Sequence, residues 1–393
     1  MLPFYFLYLG KYKGYMFTKI KISLFYLFFF GAFGGFYPLL TSYFNHIGVG
    51  TPVVSMVVSC SLVIQLVTQP ILGFISSKVF INNKLLVLLL LLITAISGLP
   101  LLIQSNFYII FISFFFLSFG NASIAAFSDT FAFEMLENSE DYGFVRAWGA
   151  VGYAVMALVN GILISNYGFF VVPLSYTLLI FMSLFVFMFF PEENQKQGIK
   201  DANSIKIVFK NFKFLLFAIG GALIFGIHQS NNTFFSTFIE SINGDIVKVG
   251  SSFFIVSLFE GLAMFIIPYL VKKFGLKQVI VGSAILVTIR WLFYGLHPTF
   301  LEVFPVMIVN GLAIGAFVGL APQIVNLMSK GNATSTYHNV YWTIANSIGT
   351  MLITYSGGLV LKQLQNIFTV YLMFGIMGLI GVILIISSVQ SKN

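Results

Sequence analysis

PEENQKQGIKDANSIKIVFKN, residues 191–211, is a long polar interruption in an otherwise apolar chain, and it divides that chain nearly in half. Reading back from it toward the N-terminus, apolar runs bounded by charge, glycine or proline lie near 168–190, 143–165, 107–130, 84–104, 51–75 and 21–44. Reading forward, further runs lie near 213–238, 249–271, 277–296, 300–321, 338–360 and 366–388. Each is close to the roughly 20 apolar residues that a helix needs to cross a bilayer. The pattern predicts an all-α membrane protein with twelve transmembrane helices in two six-helix halves, residues 1–190 and 213–393, joined by a cytoplasmic linker at 191–212. Transporters built from repeats leave this kind of trace. The stretch 84–127 is so continuously apolar that its turn is marked only by Gln104 to Asn106.

Composition agrees. Of 393 residues, 59% are hydrophobic and only 8% charged, against about 25% charged in a soluble domain. A soluble enzyme and a disordered chain are excluded by that balance, and a net charge of +8 is too sparse and too scattered for a nucleic-acid binder. The single cysteine, Cys60, allows no intrachain disulfide and no cysteine metal cage, and reads as a small core residue. No cofactor is implied.

Orientation follows from the lysines, because short cytoplasmic loops are enriched in Lys and Arg. With the N-terminus inside, every lysine except Lys248 and Lys362 falls on the cytoplasmic side, so both termini are expected there, at the cell membrane. Met1 to Tyr15 lacks the basic start and small-residue cleavage site of a signal peptide, and Met16 offers an alternative start.

Polar residues inside apolar runs carry the functional information, since a charge at bilayer depth costs about 2.5 kcal/mol or more unless paired or solvated. The chain has two arginines, Arg146 and Arg290, and both fall within runs, while the loops use lysine alone. A general bias toward lysine explains the loops but not the two exceptions, which require a planar fork that stays protonated. Two acids, Asp129 and Glu260, also sit within runs. Asp129 and Arg146 fall at similar depth on consecutive segments and are expected to pair. Glu260 lies about 16 Å and Arg290 about 9 Å from the outer ends of their segments, an offset that long side chains would bridge. The plainer role for either pair is to hold helices together; Glu260, at mid-membrane, is the candidate for reversible protonation.

Neutral polar residues extend the set. Gln65, Gln69, Asn121, Asn310, His338, Asn339 and Asn346 each either bond between helices or line a wet cavity, and for any one of them interhelical bonding is the plainer role. The run His228-Gln229-Ser230-Asn231-Asn232 covers every face of a helix, so His228, Asn231 and Asn232 point to a cavity-lining segment. Trp148 and Trp291, close after the arginines, offer rings for stacking on a sugar or base, whereas Trp342 reads as packing. His46, His297 and Glu302 read as outer-loop residues, and Glu134, Glu137, Glu140 and Asp141 as a solvated cytoplasmic turn.

The segment Asp141-Tyr142-Gly143-Phe144-Val145-Arg146-Ala147-Trp148-Gly149-Ala150-Val151-Gly152, with Asp129 in the segment before it, resembles the start of helix five in the major facilitator superfamily, in the branch of lactose permease, phenylpropionate permease and nucleoside proton symporters. His228, Glu260 and Arg290-Trp291 fall at that branch's spacing, and the similarity spans the whole chain. The resemblance implies that Asp129, Arg146 and Glu260 contact substrate and that Arg290 tunes the protonated acid. Two departures stand out. The positions matching the branch's titrating helix-ten pair are Asn310 and Ala313, and the loop after Gly73, Phe74-Ile75-Ser76-Ser77-Lys78, lacks the family's acid.

The expected function is secondary transport by rocking of the two halves about a midplane site: symport of a sugar or nucleoside with a proton held on Glu260, one chain sufficing as a monomer. Asp129, Arg146, Trp148, His228, Asn231, Asn232, Glu260 and Asn310 are the candidate substrate residues, and Glu260 with Arg290 the proton-coupling pair. A carrier of an aromatic carboxylate, bound by Arg146 or Arg290, is the rival within transport. A receptor or scaffold is the rival outside it.

Overall fold

The computed structural model describes residues 2–78, 83–103, 107–136, 141–191, 207–329 and 334–389. Twelve helices among these residues are long and apolar enough to span a membrane. They are α1 Tyr15–His46, α2 Thr51–Thr68, α3 Lys84–Ile103, α4 Tyr108–Phe133, α5 Asp141–Tyr167 and α6 Val171–Met188. After the linker follow α7 Phe212–Ser241, α8 Ile246–Phe274, α9 Leu276–Tyr294, α10 Phe300–Met328, α11 Thr336–Leu364 and α12 Ile367–Ser388. Each coincides with one of the apolar runs. Helical structure continues upstream of α1 to Leu2, and beyond α2 to Lys78, so the segment expected as a loop after Gly73 is helix instead. The turn at 104–106, Glu137, Glu140 and linker residues 192–206 lie outside the described residues.

Local chemistry sets several helix ends. Asn211 accepts a hydrogen bond from the Phe214 amide, Asp245 from Lys248 and Asn366 from Phe368, which start α7, α8 and α12. Glu302, expected in a loop, belongs to the first turn of α10, where its carboxylate accepts from the Thr299 amide at 2.7 Å in a capping box. Gly275, at φ +84°, makes the bend between α8 and α9 that a residue with a Cβ would resist.

Contacts group the chain into two compact units, Met1–Phe36 with Val67–Gln197, and Tyr37–Leu66 with Gly198–Asn393. In the first, α5 and α6 pack on the inner part of α1, and α3 packs on α4 and α6. The α1–α5 contact is close because glycines line it. A Cβ at Gly34 would strike the Tyr153 backbone, and one at Gly152 the Leu27 carbonyl. Backbones approach this way in membrane helices because small residues let dispersion contacts form where no hydrophobic force acts between helices.

The second unit is built on α8 against α10, α9 against α10 and α12, and α7 against α11 and α12. The tip of the α1–α2 hairpin belongs to it: Thr41 donates to the Thr233 carbonyl at 2.6 Å, Thr51 shares a 2.8 Å hydrogen bond with Thr237, and Ser42 donates to Glu240 at 3.2 Å. Two π-helical segments, Ala222–Gly226 in α7 and Thr343–Ile348 in α11, pack on one another. A Cβ on the adjoining Gly349 would lie 2.8 Å from that of Ala222. Such wide turns recur at functional sites of helices.

Candidate functional site

The first unit assembles its charges where α1, α4 and α5 meet. Arg146 Nε lies 3.9 Å from Asp129 Oδ1, with side chains 36% and 35% exposed, so the expected pair forms and remains accessible. Tyr26 of α1 donates to the same Asp129 oxygen at 2.7 Å. The guanidinium lies 3.9 Å above the Phe30 ring and 5.2 Å from that of Tyr26. Gly149, one turn after Arg146, makes this possible, since a Cβ there would sit 2.8 Å from Phe30 and 3.0 Å from Arg146 Nη1. The result is a cation held over aromatic faces with its N–H edge shared between one carboxylate and open space. A hydroxyl-bearing ligand could accept from that edge and donate to Asp129.

Trp148 is not part of this cluster. It is 41% exposed, and two residues along a helix is about 200° around it, which turns Trp148 away from Arg146 together with exposed Phe144 and Val151. The aromatic residues sharing Arg146's face are Tyr142, one turn before it, and Tyr153, seven positions on.

In the second unit the polar run of α7 divides by face. Ser230 is buried and donates to the Gly226 carbonyl at 2.8 Å while accepting from Thr354 at 2.9 Å. Asn231 is also buried, its Oδ1 accepting from Tyr371 of α12 at 2.8 Å. These two hold α7 to α11 and α12. His228, Gln229 and Asn232 lie on the opposite side and remain half-buried. Asn232 donates to Gln229 at 3.5 Å and Gln229 to Asn346 of α11 at 3.4 Å, a weak chain beside the two π-helical segments. Phe225 packs edge-on against Trp342, 5.4 Å between centroids, as expected for a packing tryptophan.

Glu260 is fixed by backbone packing. A Cβ at Gly315 of α10 would lie 2.6 Å from the Glu260 carbonyl oxygen, and one at Gly311 3.2 Å from its amide nitrogen. The spacing Gly311, Gly315, Gly319 is the small-residue stripe on which α8 rests. No ion pair joins Glu260 to Arg290 among the described residues, contrary to the bridging expected from sequence. Both residues lie against neighbouring positions of α10, Glu260 on Gly311 and Arg290 beside Asn310. Those two positions are about 100° apart around the helix, so Glu260 and Arg290 approach α10 from different sides.

Arg290 is 3% exposed and lies over its own helix's aromatic residues, 4.1 Å from the Trp291 ring and 4.9 Å from Tyr294. Asn310 is also buried and lines one cavity with Arg290. Sequence reasoning missed Tyr26, Phe30, Tyr153 and Tyr371, because one tyrosine or phenylalanine among 18 and 48 carries no mark of its role. Gln229 and Asn346 were visible only as polar residues in apolar runs.

Twelve helices long and apolar enough to span a membrane define a multi-pass membrane protein, and its relatives make it a transporter of a small molecule rather than an enzyme. The chain belongs to the MFS_1 like family, whose model matches residues 19–373. It is 25% identical over 363 residues to the maltose permease of Geobacillus stearothermophilus, covering 91% of each chain. It is 24% identical over 303 residues to the sucrose permease of Escherichia coli, covering 70% of this chain and 71% of that one. A crystal structure of the nucleoside transporter NupG superposes with a TM-score of 0.80 at 18% identity, over 95% of this chain and 100% of that one.

Proposed function

We propose that the protein is a proton-coupled symporter of a saccharide or nucleoside, working as a monomer by alternating access in the cell membrane, with both termini cytoplasmic and residues 1–190 and 213–393 as its moving halves. The maltose and sucrose permeases among its relatives support a saccharide, and the fold shared with NupG admits a nucleoside. The observation that carries the reading is the Tyr26–Asp129–Arg146 cluster, which offers a cationic donor edge and a carboxylate acceptor 3.9 Å apart on an accessible surface. Vicinal hydroxyls, which both donate and accept, fit this pairing. In the second unit, His228, Gln229 and Asn232 offer neutral donors and acceptors suited to further hydroxyls. Glu260, with no ion pair among the described residues, is the group that takes up and releases the proton. Arg290 supplies the fixed charge of that unit.

Uptake into energised membrane vesicles tests the reading. A panel of labelled maltose, sucrose, uridine and benzoate, with an inward proton gradient imposed and then collapsed, should show gradient-dependent accumulation of a hydroxyl-rich neutral solute. Accumulation of benzoate alone would favour the aromatic-carboxylate carrier instead.

A further inference from the structure

Between α9 and α10 the second unit holds a cavity of about 270 Å³. Leu286 and Ile289 of α9 and Pro305 and Val309 of α10 give it apolar walls, and Arg290 and Asn310 are the polar residues in its lining. Arg290 Nε and Nη1 and both polar atoms of the Asn310 side chain are buried without a hydrogen-bond partner among the described residues. Aromatic rings cover the flat of the guanidinium, but the in-plane N–H groups on Nε and Nη1, each able to donate to a carboxylate oxygen, stay unused. A buried cation without an anion is costly, and an amide with neither donor nor acceptor engaged adds to that cost. Leu286, Ile289 and Val309 are at the same time exposed on the outer surface of the helix pair, the surface that meets acyl chains.

We propose that this cavity binds a carboxylate carried on an apolar body. The carboxylate accepts from the Arg290 edge and the Asn310 amide, and the body lies along Ile289 and Val309. A free fatty acid arriving from the bilayer and an aromatic acid arriving from water share this chemistry. None of the residues lining the cavity comes from α7, so the proposal stands whether or not the solute carried is a sugar.

Trp291 provides the readout, because its ring lies 4.1 Å from the guanidinium. Full-length protein in neutral phosphatidylcholine nanodiscs is titrated with a chain-brominated fatty acid, its methyl ester, 4-bromobenzoate and 4-bromobenzamide, and tryptophan fluorescence is followed. At least one acid should quench more strongly than its neutral counterpart. The fatty acid doing so identifies the bilayer as the source, and bromobenzoate doing so identifies water. Trp291→Phe should remove the acid-specific quenching, as should Arg290→Gln and Val309→Phe, the last filling the cavity while leaving the guanidinium in place. If Arg290→Gln does not fold, Val309→Phe decides. Equal quenching by acid and neutral forms, or acid-specific quenching that survives Val309→Phe, overturns the proposal.

Discussion

Arg146 and Arg290 are the chain's two arginines, and their surroundings differ in almost every respect. Arg146 is about a third exposed and faces Asp129 at 3.9 Å, with Tyr26 steadying the acid. Arg290 is 3% exposed and has aromatic faces but no acid within ion-pair distance among the described residues. Cation–π contact contributes about 2 kcal/mol when desolvated, less than the several kcal/mol that burying an ion costs. The first unit therefore holds a satisfied, accessible ion pair. The second holds an unsatisfied charge and an unpaired carboxyl on separate helices. In the proposed function the second arrangement serves coupling and the first reads the ligand.

Replacing Arg146 with lysine gives the largest expected effect. Lysine keeps the charge but loses the planar edge, so uptake should fall roughly 10- to 100-fold, the value of a charge-assisted hydrogen bond, with the thermal midpoint little changed. Equal uptake by Arg146→Lys and wild type would mean that charge alone suffices and would erase the contrast with Arg290.

A second prediction sharpens the comparison through packing. Gly315→Val in α10 should destabilise the protein by about 1–3 kcal/mol, because the added carbons press on the Glu260 backbone. Proton-driven accumulation should suffer more than counterflow exchange, both measured in proteoliposomes. An equal loss in both would mean the stripe only holds helices together.

The α7 run supplies a third. Asn231→Leu removes the Tyr371 hydrogen bond and should cost about 1 kcal/mol of stability with affinity retained by the folded fraction. Asn232→Ala should do the reverse, raising the substrate KM several-fold with an unchanged melting curve. Reversal of that pattern would exchange their roles. The smallest effect belongs to Trp148→Phe, which should leave uptake within about twofold, because an exposed side chain away from Arg146 contributes little.

The fold was legible because apolar length is a strong signal. All twelve spans coincide with the runs, and errors fall at the ends, where a cap such as Asp245 adds most of a turn. Glu260 and Arg290 do not pair although they reach adjacent positions of α10, Gly311 and Asn310, because those positions face different sides of that helix, which depth along a run does not reveal. Asp129 and Arg146 paired as read, because a short hairpin fixes their relative depth regardless of helix length. Trp148 misled because proximity along the chain says nothing about helix face. The π-helical segments at Ala222–Gly226 and Thr343–Ile348 had no sequence signal, since an extra backbone residue per turn is set by packing against a neighbouring helix.

The account depends most on the carboxyl of Glu260 exchanging a proton as solute passes, and Glu260→Gln in proteoliposomes tests this directly. Glutamine mimics the protonated side chain in shape and neutrality. Solute counterflow should therefore persist within a few-fold of wild type, while accumulation driven by an imposed proton gradient should vanish. Gradient-driven accumulation retained in Glu260→Gln would contradict the account and move coupling to another residue.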